Sequence, residues 1–110
     1  MSTDQTHVVQ LSEAVSPPEG GIITRTVFQD EHLKAVMFGF DAGQELSEHS
    51  TPRRAIMHFL SGEADVTAGG KPVPATAGTW IHMAPGLPHS VAAKTPTVML
   101  LLMFKPGTLQ

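Results

Sequence analysis

The chain of 110 residues contains no cysteine and no tyrosine, and aromatic residues make up only 5% of it. The lack of cysteine excludes disulfides, thiolate metal ligands and a cysteine nucleophile, and it fits a reducing compartment. The longest apolar run, Val98 to Phe104, is far shorter than the ~20 residues of a membrane-spanning helix. Residues Met1 to His7 are polar and lack the apolar centre of a secretion signal. These features predict a soluble, cytoplasmic protein with no membrane partner.

Positive charge is also scarce. Seven Lys and Arg residues stand against ten Asp and Glu residues, so the net charge is −3 with histidine neutral. The charges are scattered, and no basic stripe is available to neutralise phosphates, which argues against nucleic acid as a partner. The chain also lacks a Ser-His-Asp order, a phosphate-binding glycine loop and an H-E-x-x-H motif. The commonest hydrolase, nucleotide-binding and zinc-protease chemistries are therefore not indicated.

No segment has a helical apolar stripe, whereas nine prolines and ten glycines separate short strand-like segments along the chain. About ten such strands predict an all-β sandwich or barrel. The last, Thr97 to Phe104, is apolar at successive positions, which predicts that both of its faces are covered. Residues 1–20 are interpreted as an N-terminal arm with a short strand at Val8 to Leu11, and residues 21–110 as one domain with a single core.

Two histidine-bearing segments stand out. The first is Gly43-Gln-Glu-Leu-Ser-Glu-His49, continuing to Gly62, and the second runs from Gly78 to His89. They resemble the two cupin motifs, G-x5-H-x-H-x3-E-x6-G and G-x5-P-x-G-x2-H. Six residues occupy family positions: Gly43, His49, Gly62, Gly78, Gly86 and His89. The resemblance extends from about Gly21 to Phe104, and it implies a double-stranded β-helix, a jelly-roll barrel with its site inside.

Three family positions are altered. Thr51 replaces the second histidine, Ala55 replaces the glutamate, and Ala84 replaces the proline of the second motif. A firm zinc or iron site has three or more protein ligands. The chain therefore resembles small cupins with incomplete ligand sets. The resemblance implies that a divalent metal (Zn, Fe, Mn or Ni) would be held weakly, by His49 and His89.

Side chains alternate across a strand, so an inward His49 predicts an inward Thr51. The family alignment places Ala55, Met57 and Phe59 inward, which turns His58 and His82 outward. His49 and His89 are then the only interior histidines expected near the metal position. Two interpretations of this pair remain open: metal ligands, or hydrogen-bonding groups of a pocket. The candidate substrate-binding residues are Thr51, Arg53, Arg54 and Met57, with the two arginines placed at the mouth of the barrel.

These features predict a cupin barrel that binds a small molecule in its interior pocket. The alternative is a metal-dependent cupin enzyme of oxygenase, isomerase or decarboxylase type, acting on an oxygenated small molecule. The missing ligands at positions 51 and 55 favour the binding function. The predicted outer sheet carries Trp80, Ile56 and Leu60, an apolar patch that predicts a homodimer.

Overall fold

The computed structural model describes residues 6–105, and its sheets comprise nine strands. The strands are β1 (Ile22–Gln29), β2 (Leu33–Phe40), β3 (Glu45–His49), β4 (Ala55–Ser61), β5 (Ala64–Ala68), β6 (Lys71–Ala75), β7 (Trp80–Met83), β8 (His89–Ala93) and β9 (Thr97–Phe104). The predicted all-β architecture is confirmed. Within residues 6–105, no helix is long and apolar enough to cross a membrane. The cytoplasmic location stays a prediction.

The strands form two facing sheets, one in the order β1-β2-β9-β4-β7 and the other in the order β3-β8-β5-β6. All pairs are antiparallel, and the core lies between the sheets. On β4, Ala55, Met57 and Phe59 are at most 2% exposed and belong to this core. Strand alternation therefore places these three side chains inward, as the alignment predicted.

Residues of the N-terminal arm cover part of the outer face of the five-stranded sheet. Ala14 and Val15 pack with Met37 of β2, and partly buried Val98 and Leu100 of β9 join this second cluster. Both faces of β9 are therefore covered, because Met99 lies in the core between the sheets. This arrangement explains the unbroken apolar sequence of the last strand.

The predicted strand at Val8 to Leu11 is wrong. The chain there is irregular and then forms a short 3-10 helix at Leu11–Glu13. The arm lies across a sheet face, where it has no neighbouring strand with which to share a ladder of hydrogen bonds. Val9 and Leu11 are partly buried by packing on the sheet, and the sequence pattern alone does not distinguish this from a strand.

The β5–β6 hairpin combines a tight turn with a protected edge. Gly69 and Gly70 both have positive φ, at 58° and 79°, which a two-residue hairpin turn of type I′ requires. Strand β6 is an edge strand and contains Pro72 and Pro74. Proline has no N–H to offer to a further strand, so this edge resists pairing with another chain.

Candidate ligand site at the barrel mouth

One end of the barrel collects the altered motif positions. Strand β3 ends at His49, and a five-residue loop leads to β4, which begins at Ala55. Strand β7 ends at Met83, and another five-residue loop leads to β8, which begins at His89. The two loops are tied together because the Gly86 N–H donates to the Thr51 carbonyl at 2.7 Å. We call this end, bounded by residues 50–54 and 84–88, the mouth.

His49 and His89 lie side by side at the mouth. They are direct register partners in the β3–β8 pair, and their ring centroids are 4.3 Å apart with the ring planes inclined at 60°. The register shifts between Leu46 and His49, the sign of a bulge. The extra residue allows Leu46 and His49, three positions apart, to share the inner face. Residues forty apart in sequence are therefore brought together, as the motif alignment predicts.

Both imidazoles are oriented by the backbone in the same way. Nδ1 of His49 bonds the Ser47 carbonyl at 2.8 Å, and Nδ1 of His89 bonds the Leu87 carbonyl at 3.0 Å. A carbonyl oxygen only accepts, so each Nδ1 must carry the proton. In the neutral ring, Nε2 is then an acceptor with a free lone pair. Sequence reasoning missed these two orienting carbonyls, because a backbone atom two residues before a histidine leaves no signal in residue types.

The two rings differ in exposure. His49 is exposed, whereas His89 is only 6% exposed and lies among inward residues of β8. The pair therefore presents one imidazole on the rim and a second, deeper one beside it.

The altered motif positions contribute no third ligand. Thr51 lies in the loop beyond β3, so strand alternation does not govern its side chain, and its predicted inward direction stays a prediction. Its hydroxyl accepts from the Arg53 N–H at 3.4 Å. Ala55 is 2% exposed, and its methyl group packs in the core. Within residues 6–105, no group of three or more His, Cys, Asp or Glu side chains has metal-binding geometry.

The remaining candidate residues, Arg53, Arg54 and Met57, do not all lie on the same side of the sheet. Arg53 is exposed on the mouth loop, where it is free to meet a ligand. Arg54 is the last residue of the mouth loop, but its side chain does not face the opening, as the sequence predicted it would. Its backbone continues the β4–β9 ladder opposite Phe104, and its guanidinium lies over the Phe104 ring, 5.0 Å from the centroid. Residues opposite each other in a ladder share a face of the sheet. Arg54 and Phe104 therefore both lie on the outer face, because the neighbouring Ala55 points inward. Met57 is 1% exposed and fills the core beneath the mouth.

His58 and His82 lie on the outer face of the five-stranded sheet, as predicted. His58 is opposite Trp80, and His82 is opposite Ile56, so the two histidines are diagonal neighbours. His82 is exposed and His58 is partly buried. Met57 and Met83, their neighbours along the strands, point into the core. Neither histidine reaches the mouth, which leaves His49 and His89 as the interior pair.

Comparison with known proteins places this geometry in context. The family model described as a cupin domain matches residues 36–105. The chain belongs to the cupin family. Its all-β fold is accordingly the cupin double-stranded β-helix, in which the mouth described above is the place of the two family motifs. No curated protein matches this cupin.

Solved structures of other cupin-like proteins superpose on most of the chain. A conserved Streptococcus pyogenes protein of unknown function is 32% identical, with a TM-score of 0.82 over 94% of this chain and 90% of that one. An RmlC-like cupin from Desulfovibrio desulfuricans is 29% identical, with a TM-score of 0.80 over 90% of this chain and 96% of that one. A cupin superfamily protein from Desulfitobacterium hafniense shares the fold at 19% identity, with a TM-score of 0.82 over 92% and 93% of the two chains.

Proposed function

We propose that this cupin binds a small hydroxylated molecule at its mouth, with His49 and His89 as the recognition pair. The observation that supports it most directly is the hydrogen bond between each Nδ1 and a backbone carbonyl, which leaves two neighbouring Nε2 acceptors in the neutral rings. Two adjacent acceptors match a ligand that offers two neighbouring hydroxyl donors. The exposed guanidinium of Arg53 on the mouth loop suits a carboxylate on the same ligand.

The donor set at the mouth does not fit a firmly held metal. Cupins commonly hold a divalent ion with several histidines and a carboxylate, and such an ion would act as a Lewis acid. Here two imidazoles stand alone, because a buried methyl group occupies the carboxylate position at Ala55. A divalent ion at His49 and His89 is therefore a loosely held occupant, and its affinity falls in acid as protons compete for the imidazoles. Binding of the organic ligand does not require it.

Glycerate, which has two neighbouring hydroxyls and a carboxylate, is a suitable probe. We expect His49→Ala to weaken glycerate binding by up to about tenfold, because a hydrogen bond to a neutral acceptor contributes roughly 0.5–1.5 kcal/mol. His49 is exposed, so this change leaves the core intact. Isothermal titration calorimetry on metal-free protein provides the measurement.

His82→Ala is the matched control, because His82 is equally exposed but lies on the outer face. It should leave glycerate affinity unchanged. If His82→Ala weakens binding while His49→Ala does not, the ligand lies outside the mouth and the proposal is wrong.

We also propose that the protein forms a homodimer through the outer face of the five-stranded sheet. Trp80 is 57% exposed on edge strand β7, which supports an interface there. The apolar patch is narrower than the sequence predicted, because Ile56 is only 8% exposed and Leu60 packs with the cluster beneath the arm.

Light scattering after size exclusion should give twice the chain mass, and Trp80→Ser should shift the protein towards monomer. A wild-type chain that stays monomeric at every concentration contradicts this interface.

A further inference from the structure

A cavity lies away from the mouth. It has a volume of about 540 Å³, is open to solvent, and lies between the N-terminal arm and strand β1. This volume lies within the range of small-molecule pockets, roughly 300–1,000 Å³. Its walls are His7 to Gln10, Glu13 and Ala14 from the arm and Arg25 to Val27 from β1. No residue of the mouth lines it, so it is separate from the site proposed above.

Two hydrogen bonds hold the walls of this arm cavity in place. Nε2 of His7 donates to the Val27 carbonyl at 2.8 Å, and Nη1 of Arg25 donates to the Ala14 carbonyl at 3.0 Å. The bonds join the two ends of the lining arm segment to the same strand. The docked arm therefore defines the cavity.

Opposite charges line the arm cavity without neutralising each other. Arg25 donates to the carbonyl of Ala14, and Glu13, the residue before Ala14, also lines the cavity. Within residues 6–105, the Glu13 carboxylate takes part in no ion pair or side-chain hydrogen bond. Arg25 uses one of its five N–H donors in the bond to the Ala14 carbonyl. Both groups retain capacity for a ligand.

An apolar surface completes the lining. Val8 is 75% exposed, one of three large hydrophobic side chains that are exposed within residues 6–105. Val9 and Val27 also line the cavity. A ligand with an apolar group would cover Val8 and gain the hydrophobic contribution of that burial.

From this lining we infer that the arm cavity binds a free amino acid with an apolar side chain. Its carboxylate would meet the Arg25 guanidinium, its ammonium group would meet the Glu13 carboxylate, and its side chain would lie against Val8 and Val9. A simple anion would use Arg25 alone, whereas the paired opposite charges select a zwitterion.

L-leucine is the probe, and amide chemical-shift mapping by NMR is the measurement. Leucine should produce saturable shifts in residues 7–14 and 25–27. Glu13→Gln should weaken leucine binding about two- to fivefold, the range of a solvent-exposed ion pair. Isovalerate has the same apolar group and carboxylate but no ammonium group, so Glu13→Gln should leave its binding unchanged. Arg25→Gln should weaken both ligands, and Lys71→Gln on the distant β5–β6 hairpin should affect neither.

Glu13→Gln is the decisive variant, because Arg25→Gln also removes a bond that docks the arm. His49→Ala should leave leucine binding intact, which separates this cavity from the mouth. The inference is overturned if leucine gives no saturable shifts, if the shifts centre on His49 and His89, or if Glu13→Gln weakens isovalerate as much as leucine.

Discussion

Replacement of Gly62 by alanine is expected to destabilise the fold by roughly 2–5 kcal/mol. Gly62 has a φ of 86°, and a Cβ atom there would lie 2.3 Å from the Pro96 carbonyl oxygen and 2.7 Å from Thr97 Cα. The left-handed conformation costs an L-residue about 1–2 kcal/mol, and overpacking typically adds about 1–3 kcal/mol. Backbone atoms cannot rotate away as a flexible side chain does. Urea unfolding followed by circular dichroism measures the loss.

Gly43→Ala is the matched control for this substitution. Gly43 has nearly the same φ, 84°, but an added Cβ atom would find no heavy atom within 4 Å. Gly43→Ala should lower the free energy of unfolding only by the cost of the left-handed conformation, about 1–2 kcal/mol. If the two variants lose the same stability, the close approach of the added Cβ atom at position 62 to residues 96 and 97 does not contribute, and the expectation for Gly62→Ala is wrong.

The double substitution Thr51→His with Ala55→Glu is expected to convert the mouth into a firm metal site. It would add an imidazole and a carboxylate to the pair already formed by His49 and His89, giving the four ligands of the family pattern. We expect affinity for Zn²⁺ to rise by a factor on the order of 100 or more. Without metal, a carboxylate buried at position 55 should lower stability, so Zn²⁺ should raise the melting temperature of the variant far more than that of the wild type.

Ser50→His with Ala55→Glu is the corresponding control. Position 50 is the exposed residue between His49 and Thr51, so a histidine there has the same chemistry in a different direction. This control variant should not reach the full gain in Zn²⁺ affinity. If both double variants bind Zn²⁺ equally well, the added ligands do not act through the geometry of the mouth.

The sequence was sufficient to predict the fold class and the position of the histidine pair. Strand-like segments bounded by glycine and proline are local signals, and strand β9 has the predicted limits, Thr97 to Phe104. The convergence of His49 and His89 was predicted from family motif spacing, and the β-bulge before His49 accommodates it. Both signals are carried by residue types at fixed separations along the chain.

Features that depend on where a strand ends were harder to predict. Thr51 was predicted to point inward from strand alternation. Because β3 ends at His49, that alternation does not apply to position 51. Arg54 follows a turn, and only the β4–β9 ladder shows that it faces Phe104 on the outer side. The arm was misread because Val9 and Leu11 are buried against a sheet face in an irregular conformation. In each case a tertiary partner determines the result, and the local sequence does not contain it.

Elemental analysis of protein purified without added metal is the sharpest test of the proposal that His49 and His89 form a ligand-binding pair without the third and fourth ligands of a metal centre. We expect far less than one equivalent of Zn, Fe, Mn or Ni per chain, while the protein remains folded and able to bind glycerate. Near-stoichiometric metal that survives dialysis against a chelator and disappears in His49→Ala would contradict it.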